Sequence, residues 1–431
     1  MKFIRIIFKI AKNLLPMVLN FLFVPVYHLV GLLPRNKNLW IFMGKTGKDY
    51  TDNSRVFMEY VVHKTNKIKC VWISNYKEFA KELCSRGLDA CYVRSPRFVF
   101  LTLRAGKMFA IDALVGFLGF LKNIDNYYLW HGMPLKVINL RVMNRNKPKS
   151  QVEDLTQAQK DVRNNLFFDF LVYANENIFI WKNISWANMH CLSPKKTRTV
   201  VSSRFFTPIM ADVFEIEENK ILPVGLPRID ALFYNHREKL IEELRSKYLG
   251  CKLILYMPTF RTVQWTKEPF NPFDDRFGFS ALALSALLEE KNLVFIYKAH
   301  FCDLQCMDSF EKHGRLISIS DSDFDELYNF IGQMDILITD YSSIYFDWIV
   351  TRKPVVLAPF DFEEYQRSSR ELNFDYAQLE GVRANNWGEL LEILRSESYF
   401  PASEEAVRKF AEFSDGGCCC EKLFDWIEKN G

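Results

Sequence analysis

Short apolar runs separated by stretches of helical periodicity constrain this chain more than any other feature. One series reads LWIFMG (39–44), KCVWIS (69–74), KMFAID (107–112), NYYLW (126–130) and FLVYA (170–174). A second reads KLILYMP (252–258), LVFIYKAH (293–300), DILITD (335–340) and PVVLAP (354–359), with helices expected near 277–291, 323–333 and 342–351. Runs this short, without polar alternation, suit strands buried on both faces, as a parallel sheet with crossover helices provides. The fold class is therefore α/β, and two series predict two Rossmann-like domains facing one another across a cleft. We place them at 35–227 and 228–431, with the helical stretch RIDALFYNHREKLIEELRSKYLG (228–250) at the boundary.

Residues 1–34 stand apart. Lys2, Arg5, Lys9 and Lys12 recur at intervals of three and four, opposite Phe3, Ile4, Ile6, Ile7, Phe8 and Ile10. That is the pattern of a helix lying on an anionic membrane surface. Pro16, Asn20, Pro25 and His28 interrupt the uncharged stretch that follows, so a monotopic anchor is expected in preference to a span. No small-x-small cleavage site precedes Pro34, which argues against a secretory leader. The 56 Lys and Arg barely exceed the 52 Asp and Glu, so any affinity for anions must come from local clusters. Ten scattered cysteines lack the paired spacing of a disulfide framework or zinc ribbon and read as reduced, cytosolic thiols.

In open α/β sheets, ligands bind beyond the carboxyl ends of the strands. The polar residues there are Lys45, Lys48, Asp52 and Asn53 after the first run, His131 after the NYYLW run, Thr259 and Arg261, Lys298 and His300, and Asp340, Ser342 and Ser343. Cationic and hydroxyl groups in these places suit phosphate. Two serines where a strand becomes a helix offer hydroxyls and free backbone N–H groups to an anion, although a plain helix cap would look the same. Arg261 presents a planar fork fit for phosphate, against the background that most arginines are solvated. His300, Cys302, Cys306 and His313 match no common zinc spacing, and no metal site is expected. GKTGKDY (44–50) lacks the spacing and ending of a phosphate-binding Walker loop. Basic residues are not interleaved with aromatics, so nucleic acid is not an expected partner.

His131 stands where an aromatic strand stops. Gly132 lets the chain turn with little cover and Pro134 fixes its exit, which leaves the imidazole open to the cleft.

Taken in order, WHGMPLK (130–136), GLPRID (225–230), MPTFR (257–261), KAH (298–300), DYSSIYFDW (340–348) and FEEYQRSSREL (362–372) resemble the CDP-glycerol glycerophosphotransferases that build teichoic acids and related capsular polymers. GKDYTDNSR (47–55) and FSDGGCCCEKLFDWI (413–427) extend the resemblance at either end. It implies a GT-B fold, peripheral attachment to the cytoplasmic face of the bacterial cell membrane, and transfer of glycerol phosphate or a related polyol phosphate. The donor would be CDP-glycerol or CDP-ribitol, with no tightly bound cofactor and Mg²⁺ dependence left open. The acceptor would be a hydroxyl of a growing polymer, lipid-linked or not, and CMP would leave. By the same resemblance the family's two motif histidines fall on His131 and His300. Its phosphate-binding arginine falls on Arg261 and its paired serines on Ser342 and Ser343. Lys298, Asp340 and Thr259 join the donor side, while Asp52, Asn53 and Lys136 fall to the acceptor side. His131 is assigned as base and His300 as stabiliser of the diphosphate, with the reverse assignment open. Phe301 replaces the family's usual proline and Met257 a small residue; the first bears on how His300 is oriented. Two other readings stand beside this one: a GT-B glycosyltransferase using a nucleotide sugar, and a non-catalytic scaffold of a polymer-assembly machinery.

Overall fold

A computed structural model describes residues 32–45, 49–111, 124–138, 197–214, 216–234, 236–259, 271–298, 314–368 and 371–431. The expected anchor before residue 32, the FLVYA run, Arg261, His300 and the His300 to His313 cluster lie outside them. No described helix is long and apolar enough to cross a membrane.

Two sheets organise the chain. The first has the order β3-β2-β1-β4-β5-β6-β7, built from β1 (Asn36–Met43), β2 (Lys69–Ser74), β3 (Ala90–Tyr92), β4 (Ala105–Ala110), β5 (Asp125–Tyr128), β6 (Thr197–Val200) and β7 (Ile221–Leu222). The second has the order β10-β9-β8-β11-β12-β13, built from β8 (Lys252–Met257), β9 (Leu293–Lys298), β10 (Leu316–Ile319), β11 (Ile336–Thr339), β12 (Val355–Leu357) and β13 (Val382–Arg383). β1 to β6 are parallel, as are β8 to β13. In each sheet the first strand is central and the order reverses beside it, as in Rossmann folds. The α/β expectation of two Rossmann-like units is met.

Side chains explain both sheets. In the first, register aligns Phe42 with Phe109 and Phe109 with Tyr127 across β1, β4 and β5. Their rings stack at 4.8 and 4.9 Å, so neighbouring strands are tied by aromatic faces as well as by backbone hydrogen bonds. In the second, the helix Ala281–Glu290 lays Leu284, Leu287 and Leu288 on one face, and the helix Trp387–Ser396 adds Trp387, Leu390 and Leu394. Both helices start at a side-chain cap: Ser280 accepts from the N–H of Ala283, and Asn386 from that of Glu389. Trp387 is fully buried against Tyr256, Phe273 and Phe295, and its indole N–H donates to the Pro272 carbonyl at 2.7 Å.

The expected continuous helix over 228–250 is two pieces, a 3₁₀ segment Pro227–Phe233 and a helix Lys239–Lys247. Tyr234 between them is extended, at φ −66° and ψ 143°, which breaks the helical hydrogen-bond ladder.

The chain folds into two compact units. The second comprises Thr51–Phe57, His131–Asn139 and Val200–Gly431, and the first the remainder. Two short segments from the N-terminal half, among them the one that begins at His131, thus belong with the C-terminal sheet. The side-chain contacts of the candidate active site lie inside this second unit.

Candidate active site

The carboxyl ends of β8 and β11 are held together by one carboxylate. Oδ1 of Asp340, just past β11, accepts from the N–H of Thr259, just past β8, at 2.7 Å and from the N–H of Tyr341 at 2.6 Å. Its carbonyl accepts from the Tyr376 hydroxyl at 3.1 Å. Asp340 is buried, and its charge is used to shape the turn that presents Ser342 and Ser343. Ser343 precedes a helix of five residues, Ile344–Trp348, and makes no side-chain cap to it.

The segment from His131 is seated on that turn. Gly132 has φ +134°, which side-chain-bearing residues rarely adopt, and a Cβ there would lie 2.7 Å from Ser343 Oγ and 2.9 Å from Arg228 Nη2. Trp130, immediately before His131, also has positive φ, at 52°, an uncommon state for a bulky residue. The backbone therefore brings Gly132, next to the half-buried His131, against Ser343. Further along, the segment pairs with residues 371–373: Lys136 forms an antiparallel bridge with Leu372, Val137 donates to the Glu371 carbonyl, and Asn373 donates to the Leu135 carbonyl. The Asn373 amide also donates to the carbonyls of Pro134 and Lys136.

Beneath Gly132 sits a buried ion cluster. Arg228 donates from Nη1 to both oxygens of Asp52, at 3.1 and 3.2 Å, and from Nη2 to Asp347 Oδ2 at 2.5 Å. Its guanidinium lies 4.5 Å from the ring centre of Tyr328, whose hydroxyl donates to the same Asp347 oxygen at 2.7 Å. The Arg228 N–H donates to Asn53 Oδ1 at 2.9 Å. Burial alone would make Arg228 a stronger acid, but Asp347 and Asp52 outweigh it and hold the guanidinium protonated. For Asp347 burial is the larger effect, and its carboxyl stands above the usual range despite Arg228 and Tyr328. Among the described residues, Asp347 Oδ1 and Arg228 Nε are buried without a hydrogen-bond partner.

The nine described candidates therefore divide. Asp52 and Asn53 bond to Arg228, Ser343 meets Gly132 beside the same arginine with His131 the next residue along the chain, and Ser342 belongs to the same turn. Thr259 and Asp340 bind each other. Lys298 reaches away to Asp321 at 2.8 Å, and Lys136 lies in the bridge to Leu372. Asp52 and Asn53, read from sequence as acceptor-side groups, direct side-chain oxygens to Arg228. Arg228, Asp347 and Tyr328 carried no assigned role at the level of sequence, although GLPRID and DYSSIYFDW contain the first two. No group of three or more metal-ligating side chains occurs among the described residues.

The family model for CDP-glycerol:poly(glycerophosphate) glycerophosphotransferase matches residues 26–194 and 182–429. The chain belongs to this family. A teichoic acid glycerol-phosphate transferase of Staphylococcus aureus (strain NCTC 8325 / PS 47) is 23% identical to this glycerophosphotransferase-family chain over 428 residues, 96% of this chain and 99% of that protein. Two structures of the wall teichoic acid polymerase TagF share its fold at 18% identity. One is a histidine-to-alanine variant with TM-score 0.67, the other a histidine-to-asparagine variant soaked with CDPG, with TM-score 0.65. In both, 99% of this chain and 98% of the TagF chain are covered. In this member of the family the His131 loop and the Ser342–Ser343 turn lie on the same unit, against one buried arginine.

Proposed function

We propose that this chain transfers glycerol phosphate, or a related polyol phosphate, from a CDP-activated donor to a hydroxyl of a growing teichoic-acid-like or capsular polymer. The family match over both halves supports the reaction class. The observation that supports the site assignment is the seat of Gly132, the neighbour of His131 in the WHG motif, on Ser343 in the turn at the carboxyl end of β11. Phosphoryl transfer asks for positioned charge and hydrogen-bond donors around the non-bridging oxygens, and for a group to receive the nucleophile's proton.

The acceptor oxygen attacks the distal phosphorus of the donor. Its bond to phosphorus forms as the bond to the CMP oxygen breaks, CMP leaves with that electron pair, and the acceptor's proton passes to the His131 imidazole. Ser342, Ser343 and Arg261 hold the diphosphate, and His300 stabilises the leaving group. Lys298 contributes less than a free ammonium would, because Asp321 already offsets its charge. Asp340 and Thr259 serve by shaping the turn. Lys2, Arg5, Lys9 and Lys12, with the apolar residues between them, hold the enzyme at the cytoplasmic membrane surface.

Mass spectrometry of a defined acceptor after incubation with CDP-glycerol or CDP-ribitol tests the reading. Addition of whole polyol-phosphate units is expected with one of these donors; an unmodified acceptor with both rejects it.

A further inference from the structure

We propose that Arg228 is a positioning residue, which sets the peptide carrying His131 against Ser343 for the transfer step; the inference rests on the reaction proposed above. Four stretches of chain distant in sequence meet at its guanidinium. Asp52 approaches from the start of the helix Asp52–Lys64, where Asn53 accepts from the Arg228 backbone N–H, Tyr328 from Leu327–Gly332, Asp347 from Ile344–Trp348, and Gly132 from the WHG loop. Two carboxylates in different directions and an aromatic face fix the guanidinium plane, which a flexible ammonium would not reproduce. Because Gly132 has no side chain, the His131–Gly132 backbone can rest on the edge of that plane, and Ser343 Oγ meets the same glycine. One rigid cation thereby sets where the imidazole starts relative to the hydroxyl turn.

Stability alone is a weak reason for such a group. Two acidic side chains, 1% and 20% exposed, share one arginine that is 3% exposed, and interior ion clusters of this kind are often matched or exceeded in stability by apolar packing. What the cluster supplies is direction. Arg228 touches the loop that carries the reacting residue, and it acts through that residue.

The test is a double-mutant cycle on the full chain, with Arg228→Lys, His131→Asn and the double variant. Single-turnover CMP release at saturating donor and acceptor is measured beside donor affinity and the thermal midpoint. Arg228→Lys is expected to slow turnover roughly 10- to 100-fold, the scale of a small misplacement of a reacting group. Donor affinity should stay within about threefold, and in the His131→Asn background the same change should cost less than about threefold more, because the group being aimed is gone. Losses that simply multiply overturn the proposal, since general damage to the fold would not depend on His131. If Arg228→Lys does not fold, Tyr328→Phe replaces it in the same cycle; it removes only the hydroxyl that donates to Asp347. A wild-type protein that releases no CMP from either CDP-polyol fails the transfer reading and this inference with it. A competent wild type with multiplying losses fails the inference alone.

Discussion

Gly132→Ala tests the seating of the His131 loop with a single methyl group. At φ +134° an alanine is strained, at a cost of about 1–3 kcal/mol for a residue held in a sparsely populated region. The methyl would also stand 2.7 Å from Ser343 Oγ and 2.9 Å from Arg228 Nη2, where ordinary contact begins near 3.4 Å. Overpacking of this kind costs about 1–3 kcal/mol more. The total, about 2–6 kcal/mol, is a large part of the roughly 5–15 kcal/mol that holds a domain folded. Gly87→Ala is the control, because Gly87 also has positive φ, at +87°, yet is exposed with nothing within 4 Å of the added carbon. It should show the strain without the clash. Urea denaturation of both variants, with single-turnover assays, separates the terms. Where the loop yields instead of the fold, His131 moves by about 1 Å and turnover falls roughly 100-fold. A Gly132→Ala protein as stable and as active as the Gly87→Ala control would refute the packing of the WHG loop on Ser343.

Two further changes probe the same unit. Burial raises the Glu326 carboxyl to about 7 from its ordinary 4.5. The folded protein therefore holds that proton more tightly than the unfolded chain, and stability present at pH 4.5 is lost as pH rises through 7, by about 3 kcal/mol in all. Glu326→Gln should remove this part of the slope in urea melts between pH 4.5 and 8; an unchanged slope rejects the assignment. His131→Asn should lower single-turnover transfer roughly 10²–10⁴-fold, the contribution of a general base, with donor affinity little changed. Equal loss of donor binding would recast His131 as a phosphate ligand and pass the base to His300.

Much of the fold was legible in the sequence because parallel strands buried on both faces leave continuous apolar runs. KLILYMP, LVFIYKAH, DILITD and PVVLAP each contain an observed strand, β8, β9, β11 and β12. β3, β6, β7, β10 and β13 escaped notice because strands of two to four residues carry too little pattern to separate from a turn. At the site, sequence indicated which chemistry stands at strand ends but not which way it points. Asp340 looked like a ligand for the donor, yet its Oδ1 is occupied by two backbone N–H groups, one from Thr259, 81 residues away. Arg228 drew no role because its partners Asp52 and Asp347 are 176 and 119 residues distant, separations at which sequence gives no local signal. The placement of His131 was legible only in part. The glycine and proline marked a turn, but grouping of the loop with the C-terminal sheet follows from pairing with residues 371–373, which no motif spacing discloses.

The most direct test of the central claim is acceptor-dependent release of nucleotide by the purified full-length chain at the surface of anionic vesicles. CDP-glycerol, CDP-ribitol and a panel of nucleotide sugars are offered separately, and the released nucleotide is identified. The account predicts CMP from a CDP-polyol, in step with polyol phosphate gained by the acceptor. Nucleoside diphosphate released only from a nucleotide sugar, with a sugar and no phosphate added to the acceptor, would contradict it.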